Sequence, residues 1–218
     1  MKGNLICLGS FKMDYLHVLL NKMDMQNKEL IKQRLTASAA VKLAICNDPQ
    51  MLHEIDGIAQ VIVTAFKEGN SVYFCGNGGS AADAQHLAAE FSGKFYLDRQ
   101  PLPSEALHCN TSFITAVGND YGYENVYSRL VQAIGKSGDI LIGMSTSGNS
   151  PNILKAFKVA HAKGMITIGL TGQSGGKMIG ETDHLIRIPS SDTPRIQEAH
   201  ITVGHVICEI VEATLFTN

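Results

Sequence analysis

The sequence contains no tryptophan, only six prolines, and no long hydrophobic run. Its 218 residues include 21 glycines, and apolar residues make up 44% of the chain. No apolar run reaches the roughly 18 residues that a membrane-spanning helix needs. The N-terminal segment lacks a continuous apolar core and a small-residue cleavage site, so it makes a poor secretory signal. The composition predicts a globular protein and excludes a disordered chain.

The sequence also lacks an excess of either charge. Lys and Arg number 18 against 20 Asp and Glu, which leaves a net charge of −2 at pH 7. Without a cluster of Lys and Arg there is no electrostatic footprint for nucleic acid or for an anionic membrane surface. The length is suited to one α/β domain with a helical extension.

No pair of cysteines has the C-x-x-C spacing of a redox or zinc motif. The five cysteines are odd in number and widely scattered: Cys7, Cys46, Cys75, Cys109 and Cys208. Since Cys75 and Cys109 lie inside apolar, strand-like runs, both are predicted to be buried. The pattern predicts reduced thiols in a cytoplasmic protein.

Short apolar runs alternate regularly with helical segments. Strands are predicted at 71–76, 105–110, 139–144, 165–170 and 184–188. Helices are predicted at 80–93, 111–117, 123–134, 151–163 and 194–214, after two helical stretches at about 26–46 and 49–68. Such alternation is typical of βαβ units, so the expected fold is an α/β, doubly wound parallel sheet with an N-terminal helical extension.

A glycine-rich segment, Gly76–Ser80, follows the first strand and opens a helix. In open parallel sheets ligands lie beyond the carboxyl ends of the strands, and free N–H groups at a helix start favour an anion. Ser80 could cap that helix. The segment also fits G-x-G-x-x-A through Gly76, Gly78 and Ala81, which keeps a dinucleotide site open. That signature expects a carboxylate after strand two, where the sequence has His108–Asn110.

A hydroxyl-rich segment, Ser145–Ser150, follows the third strand, and Pro151 then starts a helix. Four hydroxyl groups and several backbone N–H groups meet there without lysine or arginine. Such a cup suits a phosphate monoester that is held by neutral donors and the helix dipole. The alternative is an ordinary capping loop. Together with the glycine-rich segment, the cup predicts a sugar-phosphate site.

The helix after the glycine-rich segment carries Asp83, His86 and Glu90 at i, i+3 and i+7, and therefore on one face. A histidine and a glutamate four residues apart can bind one metal ion or handle protons as a pair. The alternative is a solvated face.

The last helix carries Gln197, Glu198, His200 and His205 among apolar residues. Its histidines are open to two interpretations: core residues or functional groups.

Five segments resemble the SIS (sugar isomerase) domain of the phosphoheptose isomerases: CGNGGSAADAQHLAAEFSGKF, TAVGNDYGYENVYSR, STSGNSPNILKA, LTGQSGGKM and DTPRIQEAHITVGHVICEIVE. The resemblance runs from about Met25 to the C-terminus. It implies a flavodoxin-like, five-stranded parallel sheet in a cytoplasmic homotetramer with active sites at the subunit interfaces. Residues 1–24 have no counterpart in the family, and internal methionines such as Met13 and Met23 offer alternative starts, so residues 25–218 are predicted to form the single SIS domain.

The resemblance also implies roles for individual residues. The substrate-binding positions would be Asn77, Gly78, Gly79, Glu90, Asn119, Asp120, Ser145, Thr146, Ser147, Ser150 and Gln197. The ligands of one zinc ion per subunit would be His86, Glu90, Gln197 and His205. Glu90 and His205 would be the acid/base groups.

The activity that the resemblance implies is an aldose–ketose isomerisation through an enediol. Sedoheptulose 7-phosphate would become D-glycero-D-manno-heptose 7-phosphate, the first step of bacterial nucleotide-activated heptose synthesis, including synthesis for lipopolysaccharide. A carboxylate or a histidine can carry the proton in such a reaction, and no redox cofactor is needed. The alternative is a non-catalytic SIS domain that senses a sugar phosphate or binds a replication initiator.

Overall fold

The computed structural model describes the backbone of residues 7–217 and the side chains of residues 25–217. The chain divides into two compact units, residues 1–40 and 41–218. Helix α1, Cys7–Cys46, accounts for the described part of the first unit and continues into the second. The helix predicted at 26–46 is therefore longer than expected. The first six residues of the predicted extension 1–24 lie outside the described residues.

Helix α2, Pro49–Lys67, shows clear start signals. The Asp48 side chain accepts hydrogen bonds from the backbone N–H groups of Gln50 and Met51, and Pro49 occupies the first helical turn, where no backbone donor is needed. One face of α2 is buried and apolar.

Five parallel strands form one sheet in the order β2-β1-β3-β4-β5. The strands are β1 Val72–Gly76, β2 Ser104–Ala106, β3 Ile140–Met144, β4 Ile166–Gly172 and β5 His184–Ile188. This order is that of the flavodoxin-like, doubly wound sheet, and it confirms the predicted fold class.

Helices cover both faces of the sheet. The remaining α-helices are α3 Gly79–Ser92, α4 Thr111–Tyr121, α5 Val126–Ile134, α6 Pro151–Ala162 and α7 Thr193–Phe216. One buried cluster joins α2, α3 and α7 to one sheet face, and a second joins α4, α5 and α6 to the other. The core therefore lies in two layers, one on either side of the sheet.

The predicted second strand, 105–110, is wrong in length. β2 ends at Ala106, because the Leu107 N–H makes the last bond to β1 at Phe74 and the Cys109 N–H then closes a turn onto the Ala106 carbonyl. The Asn110 side chain caps α4.

Two of the described cysteines are buried and two are exposed. The burial predicted for Cys75 is confirmed, and desolvation raises the pKa of its thiol well above the usual range. Cys109 is exposed, because it lies in the turn after β2 and not in a strand. Cys46 is exposed and Cys208 is buried.

Helix α7 is long and apolar enough to cross a membrane by length and composition alone. Its buried residues include Ile196, Val203, Ile207 and Val211, and it packs against α2 and α3. In this structure α7 therefore packs as a core helix of the domain.

The sheet has its topological switch point between β1 and β3, because the chain leaves these neighbouring strands toward opposite sides. Gly76 pairs in register with Met144, so the segments that follow β1 and β3 start at the same level. Ligands bind at such points in doubly wound sheets.

Candidate active site

The glycine-rich segment between β1 and α3 requires its glycines. Gly78 is the N-cap of α3 with φ +55, in the left-handed region. A Cβ at Gly76 would collide with the backbone carbonyl of Ser80. Ser80 is buried inside the first turn, so the expectation that it caps the helix is wrong. The tight turn is closed by hydrogen bonds from the Ser80 and Ala81 N–H groups to the Asn77 and Gly78 carbonyls.

In the hydroxyl-rich segment between β3 and α6, the structure brings together three of the four hydroxyl groups of the predicted cup. Ser145 Oγ lies 2.8 Å from Ser150 Oγ and 3.5 Å from Ser147 Oγ. Ser145 is buried, whereas Ser147 is exposed. Ser150 is the N-cap of α6, and its side chain makes no capping bond there. Three hydroxyl groups therefore converge at a helix start.

A cavity of about 220 Å³ adjoins this cup. It is bordered by segments that follow β3, β4 and β5, and thus lies at the carboxyl edge of the sheet. Six hydroxyl-bearing residues line it: Thr146, Ser147, Ser174, Ser190, Ser191 and Thr193. Sequence reasoning identified only the first two, although serine and threonine clusters at the ends of β4 and β5 were available as a signal.

The predicted substrate residues Asn119 and Asp120 lie in the last turn of α4, which extends four residues beyond the predicted end at 117. Asn119 Nδ2 donates to Asp120 Oδ1 at 2.8 Å, and both residues are exposed. Gly122, with φ +84, then redirects the chain. As a result the Tyr123 hydroxyl reaches Asn77 Oδ1 of the glycine-rich segment at 3.3 Å.

Three of the four predicted metal ligands meet within one chain. His86 Nε2 lies 3.0 Å from Glu90 Oε1 and 2.9 Å from His205 Nε2. One ligand atom from each residue falls within 4.8 Å of the others. α3 supplies the first two residues one turn apart, and α7 supplies the third. This cluster is called the triad below.

The fourth predicted ligand, Gln197, lies elsewhere in the same chain. A Cβ at Gly79 would come within 2.7 Å of Gln197 Nε2, so the glutamine side chain rests against the start of α3. Gly79 precedes His86 by seven residues, about 10 Å of helix rise. The structure thus places Gln197 beside the glycine-rich segment, about two turns away from the triad.

The neighbouring titratable residues of both helices have different environments. His200 is fully buried, and desolvation lowers its pKa to about 4, although a contact with the Thr171 carbonyl opposes this. His200 is therefore a core histidine, and not one of the functional groups that the sequence of the last helix also allowed. Burial raises the pKa of Asp83, one turn before His86, and the proximity of His86 partly offsets the shift.

Two SIS-domain family models match the chain, over residues 43–172 and 129–216. The phosphoheptose isomerase of Aneurinibacillus thermoaerophilus is 51% identical over 190 residues, which covers 87% of this chain and 96% of that protein. The chain belongs to the phosphoheptose isomerase family. The same name is carried by a Burkholderia pseudomallei protein that is 48% identical over 194 residues, 88% of this chain and 98% of that one.

Solved phosphoheptose isomerase structures share the fold. That of Neisseria gonorrhoeae superposes with a TM-score of 0.80 at 38% identity and covers 85% of this chain and 98% of that one. That of Francisella tularensis gives a TM-score of 0.81 at 36% identity. This chain is therefore an isomerase. It shares its flavodoxin-like fold with these relatives.

The donor set of the triad is chemically suited to zinc. Two imidazole nitrogens and one carboxylate oxygen are a known protein ligand set for catalytic Zn²⁺, with a further position left open. In this structure the three ligand atoms lie within 4.8 Å of one another. The residues present therefore fit the group that the family resemblance implies.

Proposed function

We propose that this chain interconverts sedoheptulose 7-phosphate and D-glycero-D-manno-heptose 7-phosphate. The observation that carries the proposal is that His86, Glu90 and His205 lie together. In the same chain the glycine-rich and hydroxyl-rich segments start side by side at the switch point. A carboxylate and an imidazole are the groups that carry protons in such a reaction.

The reaction moves the carbonyl group from C2 to C1. A proton leaves C1 for a base, a C1–C2 double bond forms, and the C2 oxygen takes up a proton. The enediol then receives a proton at C2 while the C1 oxygen loses one. Electrons and atoms balance without an external oxidant. We assign these transfers to Glu90 and His205.

The phosphate end of the substrate is assigned to Ser145, Thr146, Ser147 and Ser150. Neutral hydroxyl donors at the start of α6 favour a dianion through hydrogen bonds and the helix dipole. Asn77, Gly78 and Gly79 are assigned to the sugar oxygens, and so are Asn119, Asp120 and Gln197. The hydroxyl-lined cavity next to the cup is a suitable place for a polyhydroxylated chain.

His86, Glu90 and His205 would hold the metal ion, one per subunit, with Gln197 supplied by a second chain. Zinc bound there would supply a positive charge that polarises a substrate carbonyl group and stabilises negative charge on oxygen. His86 Nε2 lies within hydrogen-bond distance of both Glu90 and His205, so the three side chains meet at the position that the ion would take.

The wider setting follows from the same proposal. The enzyme would be a cytoplasmic homotetramer with active sites at the subunit interfaces, and its product would supply nucleotide-activated heptose synthesis for surface glycans such as lipopolysaccharide.

The decisive experiment incubates the purified protein with sedoheptulose 7-phosphate in deuterated water. We expect an aldose heptose phosphate that carries solvent deuterium at C2, because the proton returned to C2 exchanges with solvent through the enediol route. Glu90→Gln serves as the inactive control. Tight sugar-phosphate binding without turnover would instead support the non-catalytic SIS sensor.

A further inference from the structure

The glycine-rich and hydroxyl-rich segments are joined by a pair of side-chain amides. Asn77 Nδ2 donates to Asn152 Oδ1 at 3.0 Å, and Asn152 Nδ2 donates to Asn77 Oδ1 at 2.8 Å. Asn152 lies in the first turn of α6 and is only 3% exposed. Its buried polar atoms are thus directed at a residue of the proposed substrate site.

A reciprocal amide pair could in principle exist with both amides turned over, because the two orientations look alike. The backbone breaks this degeneracy here. The Ile153 N–H, which can only donate, bonds to Asn152 Oδ1 at 3.1 Å and is shared with the Ser150 carbonyl at 3.2 Å, so an NH2 group could not take the place of Oδ1. The orientation of Asn152 is therefore set by its own helix, and the orientation of Asn77 follows from it.

Most of the hydrogen-bonding groups of the Asn77 side chain are already used by its neighbours. Its carbonyl oxygen accepts from Asn152 and also from the Tyr123 hydroxyl at 3.3 Å, which occupies both lone pairs. Its amide nitrogen carries two hydrogens, of which Asn152 takes one. The remaining hydrogen-bonding group of the side chain is therefore a single N–H donor.

We infer that Asn152 is a positioning residue, which locks Asn77 so that it presents an N–H donor, and not a carbonyl acceptor, to a substrate oxygen. The inference rests on the proposed function for the role of Asn77. It adds a physical link between the two segments: the start of α6, which carries the phosphate cup, sets the hydrogen-bond polarity of the sugar-binding segment.

The test is a double-mutant cycle with Asn77→Ala, Asn152→Ala and the double variant. If Asn152 acts through Asn77, Asn152→Ala should lower kcat/KM about tenfold, the effect of one lost hydrogen bond, mainly by raising KM. In the Asn77→Ala background the same change should have no further effect, because the residue it positions is gone. Asn70→Ala, at the opposite end of β1, is the matched control.

A third variant separates positioning from packing. Asn152→Leu keeps the approximate volume of the side chain without adding a charge, but it offers Asn77 no hydrogen bond. We expect the same rise in KM, with a thermal midpoint close to that of Asn152→Ala or higher. Unchanged KM in both Asn152 variants, or effects of Asn77 and Asn152 that add fully in the double variant, would overturn the inference.

Calorimetric binding of sedoheptulose 7-phosphate keeps the two proposals distinguishable. If the wild-type chain binds this sugar phosphate but does not isomerise it, the proposed function fails, and the same non-additive cycle in Kd still supports the amide lock. If the wild-type chain neither binds nor converts it, both fail.

Discussion

At the scale of single residues, Glu90 has the two properties that a catalytic base needs: a carboxylate within the triad and access to substrate. It is a carboxylate on a well-formed helix, and its Oε1 lies 3.0 Å from His86 in the only such triad among the residues whose side chains the structure describes. Its side chain is partly exposed, so substrate can reach it.

We predict that Glu90→Gln lowers kcat by roughly two to four orders of magnitude, because glutamine keeps the shape but cannot accept a proton from carbon. Turnover of sedoheptulose 7-phosphate is the measurement. Glu68→Gln, an exposed change at the end of α2, should leave turnover and thermal stability unchanged. A Glu90→Gln enzyme with near-normal turnover would transfer the role of base to His205 or Asp120.

The hydroxyl cup permits a second prediction at this scale. Ser147→Ala should raise KM more than it lowers kcat, because a donor to the phosphate group binds the ground state and the transition state alike. Steady-state kinetics checks this. Ser137→Ala, an exposed serine before β3, is the control. Unchanged KM in single alanine variants of Ser145, Thr146, Ser147 and Ser150 would remove the cup from the site.

At the scale of secondary-structure elements, the triad depends on how α3 and α7 are held together. A buried ion pair does this two turns beyond His205: Arg99 Nε donates to Glu212 Oε1 at 2.8 Å, and both side chains are almost fully buried. Arg99 also caps the end of α3 by donating to the carbonyls of Glu90 and Phe91. Sequence reasoning missed this pair, because the partners are 113 residues apart.

The environment of Glu212 makes its charge important for stability. Burial alone would raise the pKa of this carboxyl, but the backbone N–H groups of Leu97, Tyr96 and Phe95 and the Arg99 guanidinium together hold the pKa below its ordinary value of 4.5. A carboxyl whose pKa is lower in the folded chain stabilises the fold above the unfolded-state pKa. That contribution is lost as the pH falls through the folded-state pKa.

We therefore predict that Glu212→Gln lowers the free energy of unfolding by about 3–5 kcal/mol at neutral pH, because Arg99 remains buried without its counter-charge. The wild-type chain should lose this advantage progressively below pH 4.5, whereas the variant should depend less on pH there. Urea unfolding at several pH values measures both. The exposed Glu209→Gln, on the same helix, should change little; equal pH profiles for wild type and Glu212→Gln would contradict the prediction.

At the scale of the whole molecule, the position of Gln197 has a consequence for assembly. His205 meets His86 and Glu90 in its own chain, whereas Gln197 rests against Gly79 about two helical turns away. One ion cannot be held by all four residues of one chain in this arrangement. Under the proposed function, a glutamine from a symmetry-related copy of α7 would complete the set, as isologous interfaces allow.

We predict that inactive Gln197→Ala and inactive His205→Ala proteins regain part of the activity when they are unfolded and reassembled together, because some sites then receive both intact residues. Isomerase activity of the mixed oligomer is the measurement, with wild type taken through the same procedure as the control. Mixed oligomers that form but stay inactive would refute the shared site.

A further whole-molecule prediction concerns the extension. A chain that begins at Met25 should be soluble, tetrameric and active, because the family resemblance starts there. Size-exclusion chromatography with light scattering and an isomerase assay check this. Loss of assembly on truncation would show that residues 1–24 have a structural role.

The sequence alone was sufficient for the features that depend on local pattern. The alternation of short apolar runs with helical segments predicted the parallel α/β fold. Strand β5 at 184–188 coincides with its predicted range. Spacing on α3 placed His86 and Glu90 on one face, and the serines before Pro151 predicted the cup. Such features follow from helix periodicity and from residue types at element ends, which the chain carries without reference to distant partners.

Tertiary structure alone decided what depends on partners far apart in sequence. β2, at the edge of the sheet, is three residues long because the chain turns back onto the Ala106 carbonyl and Asn110 caps α4. His205 joins the triad and His200 enters the core, although both lie on one apolar helix, because packing of α7 against α3 and the sheet fixes which face each residue occupies. The Asn77–Asn152 amide pair spans 75 residues, so only the side-by-side placement of β1 and β3 brings it together.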